Sequence, residues 1–192
     1  MMIPTLFIER IRNKFSESEA DAFLQAIEGI PAVSVRLHPS KKFEGFPDVQ
    51  MVPWNNQGKY LPERPEFIFD PSFHAGAYYV QESSSMFVRK ALEKIDIPNH
   101  AMALDLCAAP GGKSTLLLSY LPSDCLLVAN EVIRTRIPAL KENIQRWGYA
   151  NSMVTNADPA DFETLPETFD LVLIHMSYRL LMPPLPGDKS RM

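Results

Sequence analysis

The chain has 192 residues with 19 Lys and Arg against 23 Asp and Glu, a net charge of −4. That balance excludes a globally basic nucleic-acid binder, so any RNA contact has to come from a local patch. With 46% hydrophobic residues the chain can bury a real core, and its length suits one domain plus an appendage. Two cysteines, Cys107 and Cys125, supply neither a disulfide framework nor metal-ligand spacing. No secretory signal is visible and no apolar run approaches the ~20 residues of a membrane span, so a cytoplasmic setting without membrane or metal is expected.

Taken in chain order, Leu6 to Phe15 after Pro4 reads as a first helix. Ser16 and Glu19 then form the S-x-x-E pattern of a capping box, in which each end satisfies a free backbone N–H of the other. Ala20, Phe23, Leu24 and Ile27 follow at i, i+3, i+4 and i+7, one apolar helical stripe ended by Gly29 and Pro31. Val33 to Leu37 alternates like a strand. Residues 40–70 are dense in Pro, aromatic and charged groups, which predicts an irregular segment. Here Lys41, Lys42, Lys59, Tyr60 and Arg64 beside aromatics suit a single-stranded RNA surface. The plainer reading makes Trp54 and Phe67 packing anchors and Lys41 and Lys42 solvated surface. Ser83 to Ser85 precede a stripe at Val88, Ala91, Leu92 and Ile95, so a serine cap is expected. His74 has no second ligand at metal spacing and reads as structural or surface.

The stretch from Ala103 to Glu131 organises the rest. An apolar run from Met102 to Leu106 is interrupted by Asp105, followed by Ala108-Ala109-Pro110-Gly111-Gly112. Lys113-Ser114-Thr115 opens an apolar segment to Leu121, and Cys125 to Ala129 closes on Asn130-Glu131. This is strand, glycine loop, helix, strand: a βαβ unit, whose ligands bind beyond the carboxyl ends of parallel strands. Glycines admit close backbone approach, and the helix N-terminus offers free N–H groups and partial positive charge. Glu131 lies 19 residues beyond Gly112, where a ribose-binding carboxylate is expected. Ile137 to Trp147 predicts the next helix, with Pro138 in its first turn and Gly148 past its end. Ser152 to Thr155 and Phe169 to Ile174 read as two further strands, the last apolar enough for burial in a parallel sheet.

Three ligand readings compete for the loop, beside a ligand-free turn. A phosphate loop of a nucleotide hydrolase needs glycine where Cys107 stands and has Pro110 inside its cradle. The dinucleotide fingerprint G-x-G-x-x-G is not supplied. An S-adenosylmethionine site needs no pyrophosphate cradle, only a flat glycine turn and an acid for the ribose.

Asp105-Leu106-Cys107-Ala108-Ala109-Pro110-Gly111-Gly112-Lys113-Ser114 resembles the first cofactor motif of the RNA cytosine-C5 methyltransferases, the family of bacterial 16S rRNA enzymes and nucleolar Sun-type proteins. Residues 73–86, FHAGAYYVQESSSM, resemble the family's lead-in to its catalytic domain, and Asn156-Ala157-Asp158 its third motif. The resemblance implies an α/β fold: a Rossmann-like S-adenosylmethionine-dependent methyltransferase sheet, incomplete at the C-terminus, behind a small α+β appendage. Its expected divisions are residues 1–72, a possible RNA-binding appendage, residues 73–175, a partial cofactor domain, and residues 176–192, an irregular tail. It implies that Cys107, Ala108, Ala109, Pro110, Gly111, Gly112 and Lys113 hold the methionine end, with Glu131 on the ribose hydroxyls and Asp158 at the adenine. Asp105 would orient the loop from the strand end. The implied partner is RNA, in first place rRNA.

The chain departs from the family after Ile174. Where the family has Asp-Ala-Pro-Cys-Ser-Gly, this chain has His175-Met176-Ser177-Tyr178-Arg179-Leu180. A family enzyme adds a cysteine thiolate to C6 of cytosine, with an acid assisting and a second cysteine aiding release. No residue here occupies those positions, so none is expected to be catalytic, and a truncated or frame-disrupted member is the expectation. A non-catalytic RNA- or protein-binding module is the alternative from another class.

Overall fold

The computed structural model describes residues 3–165 and 167–175; the expected tail from 176 lies outside the described residues. The chain forms two compact units, Met1–Val33 and Ser34–Met192. The domain boundary expected at 72 therefore falls inside the second unit.

The first unit is a pair of helices, α1 (Thr5–Lys14) and α2 (Glu17–Glu28). The Ser16–Glu19 capping box forms: the Glu19 carboxylate accepts from the Ser16 backbone N–H at 3.1 Å and from its hydroxyl at 2.6 Å. Phe23 packs on both Phe7 and Phe15, with ring centroids 6.4 Å apart in each pair.

In the second unit the first sheet comprises β1 (Val33–Leu37, entered from the boundary), β2 (Met51–Val52), β3 (Asn55–Leu61) and β4 (Tyr78–Val80), in the order β2-β3-β1-β4. The β2–β3 hairpin lies in the segment expected to be irregular. Between β3 and β4, α3 (Pro71–His74) is capped by Asp70, whose carboxylate accepts from Ser72 N. Phe67 is buried among Phe73 and Tyr78, and Trp54 packs on the main core and donates to Ser83 O at 2.7 Å, as the packing reading expected. Lys41 differs from its surface expectation: its ammonium donates to the carbonyls of Ala75 and Arg146, both at 2.8 Å. His74 is exposed and its Nε2 lies 2.7 Å from Ile68 O.

Next comes α4 (Val88–Leu92), preceded by a 3-10 turn over Ser84–Phe87. The expected serine cap does not form, because Ser84 donates to Glu82 instead and Ser83 already has helical backbone angles. The second sheet comprises β5 (Met102–Asp105), β6 (Leu126–Asn130), β7 (Ser152–Thr155) and β8 (Leu171–Leu173), all parallel, in the order β7-β6-β5-β8. The connecting helices are α5 (Gly112–Tyr120) and α6 (Ile137–Trp147). β8 is less buried than its composition suggested: Val172 is 48% exposed, since β8 is an edge strand here. The core is continuous from Leu116, Leu117 and Leu118 of α5 through Leu127 and Ala129 to Leu140, Ile144 and Trp147 of α6. This is the Rossmann-like α/β arrangement, with Asp105, Asn130 and Thr155 ending neighbouring strands at one edge. No described helix is long and apolar enough to cross a membrane.

Candidate functional site

The glycine loop leaves β5 at Asp105 and enters α5 at Gly112. Leu106 N donates to Leu173 O at 3.0 Å and Ala108 N to Asn130 O at 2.8 Å, so both neighbouring strands anchor the loop's start. The Ala109–Pro110 peptide is cis. Pro110 O accepts from Asn143 Nδ2 at 2.7 Å and Tyr79 OH at 3.3 Å, and Arg136 donates to Ala109 O. Gly111 sits at φ +108°, ψ 2°, in the left-handed region that penalises a side chain. A Cβ on Gly112 would lie 3.4 Å from Gln81 Nε2 and 3.5 Å from the Tyr79 ring. The turn is set by the Gly111 backbone, while at Gly112 a Cβ would make only ordinary van der Waals contacts.

A cleft of about 290 Å3 opens over it. Cys107, Ala108, Ala109, Pro110, Gly112 and Lys113 line one part of its wall. Tyr79 to Glu82 and Ser85 line another, with Arg136 and His175 completing the wall. Six of the seven expected loop residues therefore share one cavity, and Gly111 sets the turn behind them. Free N–H groups of the first turn of α5 give it an anion-favouring end.

The charges are arranged in layers. Asp105 is 1% exposed; its Oδ2 accepts from Ser114 Oγ at 2.7 Å, and burial pushes its pKa up to about 6. Lys113 is pushed down by burial, and the Cys107 thiol is pushed up by burial and by Asp105, the reverse of an activated nucleophile. Glu131 follows β6 at the strand edge but does not line the cleft. Its buried carboxylate accepts from Ala109 N at 3.2 Å and Ile133 N at 2.9 Å, and pairs with Arg136 at 3.2 Å. The Arg136 side chain is 39% exposed, against 2% for that of Glu131. Asp158 stands just past β7, exposed, its Oδ1 accepting from Ala160 N at 2.9 Å at the head of a 3-10 turn. No group of three or more His, Cys, Asp or Glu side chains suited to a metal ion occurs among the described residues.

Sequence reasoning named Asn130 beside Glu131 without its structural role, and missed Arg136 and Arg36, which also hold this site. Buried Asn130 ties the three strand ends together, donating to Leu106 O and Ala157 O and accepting from Thr155 Oγ1 and Ala157 N. Arg136 carried no signal beyond lying five residues after Glu131. Arg36 of β1 is fully buried and reaches Gly112 from the other sheet, a contact that only the fold reveals.

The comparisons agree with this geometry. The family model for the N-terminal domain of 16S rRNA methyltransferase RsmF matches residues 3–83, and that for 16S rRNA methyltransferase RsmB/F matches residues 93–177. Ribosomal RNA small subunit methyltransferase F of Aliivibrio fischeri strain ES114 is 41% identical over 190 residues, and that of strain MJ11 is 34% identical over the same length. Each alignment covers 91% of this chain and 40% of the relative, so the chain spans about two fifths of the relatives' length. Among solved structures, a methyltransferase homologue from Pyrococcus horikoshii is 25% identical with a TM-score of 0.66, covering 89% of this chain and 62% of that one. NSun6 from Pyrococcus horikoshii, solved with SFG, has a TM-score of 0.72 at 15% identity, covering 91% of this chain and 70% of that one, a likeness of fold. The chain belongs to the 16S rRNA methyltransferase RsmB/F family.

Proposed function

We propose that this chain provides the S-adenosylmethionine half-site of an RNA (cytosine-C5) methyltransferase acting on rRNA. The observation that carries the reading is the cleft itself. It joins a flat glycine loop and a helix N-terminus and places the buried, unpartnered Gln81 Nε2 against Gly112, while the strand-edge acid Glu131 stands outside its wall, bonded to the loop at Ala109 N. That set suits a ligand with a carboxylate at one end and a ribose at the other, and it lacks the glycine at 107 that a phosphate cradle needs. Cys107 to Lys113 would hold the methionine end. Glu131 would take the ribose hydroxyls, and Asp158 lies at the neighbouring strand end, on the side proposed for adenine. When bound, the cofactor supplies an electrophilic methyl group. The residues of this chain bind and orient it, and none of them is assigned a catalytic step. RNA affinity is proposed for the appendage, with no single residue assigned.

Calorimetric titration of the 192-residue chain with S-adenosylmethionine tests the reading, beside Glu131→Ala. Micromolar binding that weakens roughly ten- to a hundredfold in the variant, about 1.5–3 kcal/mol, is expected. A folded chain that binds RNA but no cofactor would overturn this reading in favour of a binding module.

A further inference from the structure

Arg36 is the one fully buried guanidinium among the described residues, and it has no carboxylate partner there. Its Nε donates to Gln81 Oε1 at 2.8 Å; its Nη2 donates to Thr115 Oγ1 at 2.6 Å and to Gly112 O at 3.2 Å. The guanidinium lies 4.4 Å from the Trp147 ring centroid and 5.9 Å from that of Tyr79. Nη1 has no partner. One side chain thus touches β1, the end of β4, the first turn of α5 and the last turn of α6. Two of its three hydrogen-bond partners, Gln81 and Gly112, are walls of the cleft.

A buried ion without a counter-ion costs several kcal/mol, which aromatic faces and neutral acceptors offset only in part. A purely structural clamp at this point has no use for that charge. Burial lowers the Arg36 pKa to about 9, so the group remains cationic at neutral pH. Its field adds to the partial positive charge of the α5 N-terminus, directly behind the cleft wall. Because Arg36 fixes Oε1 of Gln81, the amide's other end, Nε2, is left as the unpartnered donor packed against Gly112.

We infer that Arg36 is a positioning residue of the cofactor site: it clamps the first turn of α5 and holds an uncompensated positive charge behind the cleft that selects a ligand bearing a carboxylate. This rests on the S-adenosylmethionine reading above. It adds that the carboxylate of the methionine end is recognised partly through a residue that never touches it, on the sheet preceding the cofactor domain.

Gln81→Glu keeps an acceptor for Arg36 Nε and supplies the missing counter-ion, while Arg36→Lys against Arg36→Met reads the charge without changing a cleft-wall residue. The measurement is the affinity of the full chain for S-adenosylmethionine and for its decarboxylated analogue, in wild type, Gln81→Glu, Arg36→Met and Arg36→Lys, with folding checked by circular dichroism. The wild type is expected to prefer the carboxylated ligand. Gln81→Glu should shrink that preference by at least about tenfold, mainly by weakening the carboxylated ligand. Arg36→Lys, which keeps the charge, should retain preference that Arg36→Met loses. If Arg36→Met fails to fold, Arg36→Gln takes its place as the neutral variant, because Gln81→Glu also alters the cleft wall. A folded Gln81→Glu chain with a preference within twofold of wild type overturns the inference while leaving the cofactor reading intact. A folded wild type that binds neither ligand overturns the cofactor reading and this inference with it.

Discussion

Asp105 makes the stability of this chain depend on pH in an unusual direction. The carboxyl group is buried at the end of β5, and its pKa moves from 3.8 to about 6, chiefly through desolvation. At ~1.4 kcal/mol for each tenfold change in proton affinity, that displacement amounts to about 3 kcal/mol. The sign follows from which state holds the proton more tightly. The folded pKa lies above the unfolded one, so this contribution is fully present below pH 3.8 and is lost as pH rises through about 6. At neutral pH the chain therefore carries a buried carboxylate at a cost, held by the Ser114 hydroxyl and the Cys107 backbone N–H. Asp105→Asn removes the charge and keeps an acceptor for Ser114. Its amide N–H₂ would face the Cys107 donor, a penalty independent of pH. The variant should thus gain about 2.5 kcal/mol on the wild type between pH 4 and pH 7.5, whatever its offset at either end. Urea unfolding followed by the fluorescence of Trp54 and Trp147, the latter buried at 1% exposure, measures the difference at several pH values. Parallel profiles, differing by a constant to within about 0.5 kcal/mol, would refute the reasoning.

Two further changes address the loop. Gly111→Ala places a Cβ at φ +108°, 3.3 Å from Asn143 Cβ and 3.4 Å from Leu140 Cδ1; it should cost about 1–2 kcal/mol and lower the melting temperature in calorimetry. An unchanged melting temperature would mean that the turn relaxes freely. Arg136→Met leaves Glu131 with its two backbone donors but uncovers its carboxylate; stability should fall by about 1 kcal/mol, with S-adenosylhomocysteine binding at least as tight as in wild type. A tenfold loss in that titration would show that Arg136 holds Glu131 in place rather than covering it.

What the sequence disclosed was what local punctuation encodes. Helix α6 runs from Ile137 to Trp147 as expected because Pro138 fits only its first turn and Gly148, at φ +90°, ends it. The capping box at Ser16 and the βαβ order from Met102 to Asn130 are equally local signals. The β2–β3 hairpin escaped because Pro53, Trp54 and the flanking charges mask a pairing in which Met51 lies opposite Lys59. Arg36 escaped for a different reason. In β1 Ser34, Val35 and Arg36 are all buried, so both strand faces are covered and the alternation that normally separates inside from outside is absent. A charged residue in such a strand looks like a solvent position until a second sheet element and a helix are seen to close over it. Lys41 escaped likewise, since its two carbonyl acceptors lie 34 and 105 residues away.

The first turn of α5 is held between two buried charges that do not meet. Ser114 reaches back to Asp105 on one sheet, while Gly112 and Thr115 are gripped by Arg36 from the other. Direct pairing would remove much of the desolvation cost of both, yet each is bonded instead to neutral groups of the same helical turn. Residues 112 to 115 are therefore fixed from two sides by interactions that are stronger than neutral hydrogen bonds and directional at both ends. Neutral side chains would pack the same space more stably. The arrangement makes sense for a turn that must stay in place while a ligand of mixed charge arrives and leaves: stability is given up for a preset loop, as is common where a backbone segment serves binding rather than packing. On this argument the first sheet belongs with the proposed cofactor site, because one of the two charges that set the glycine loop stands on β1.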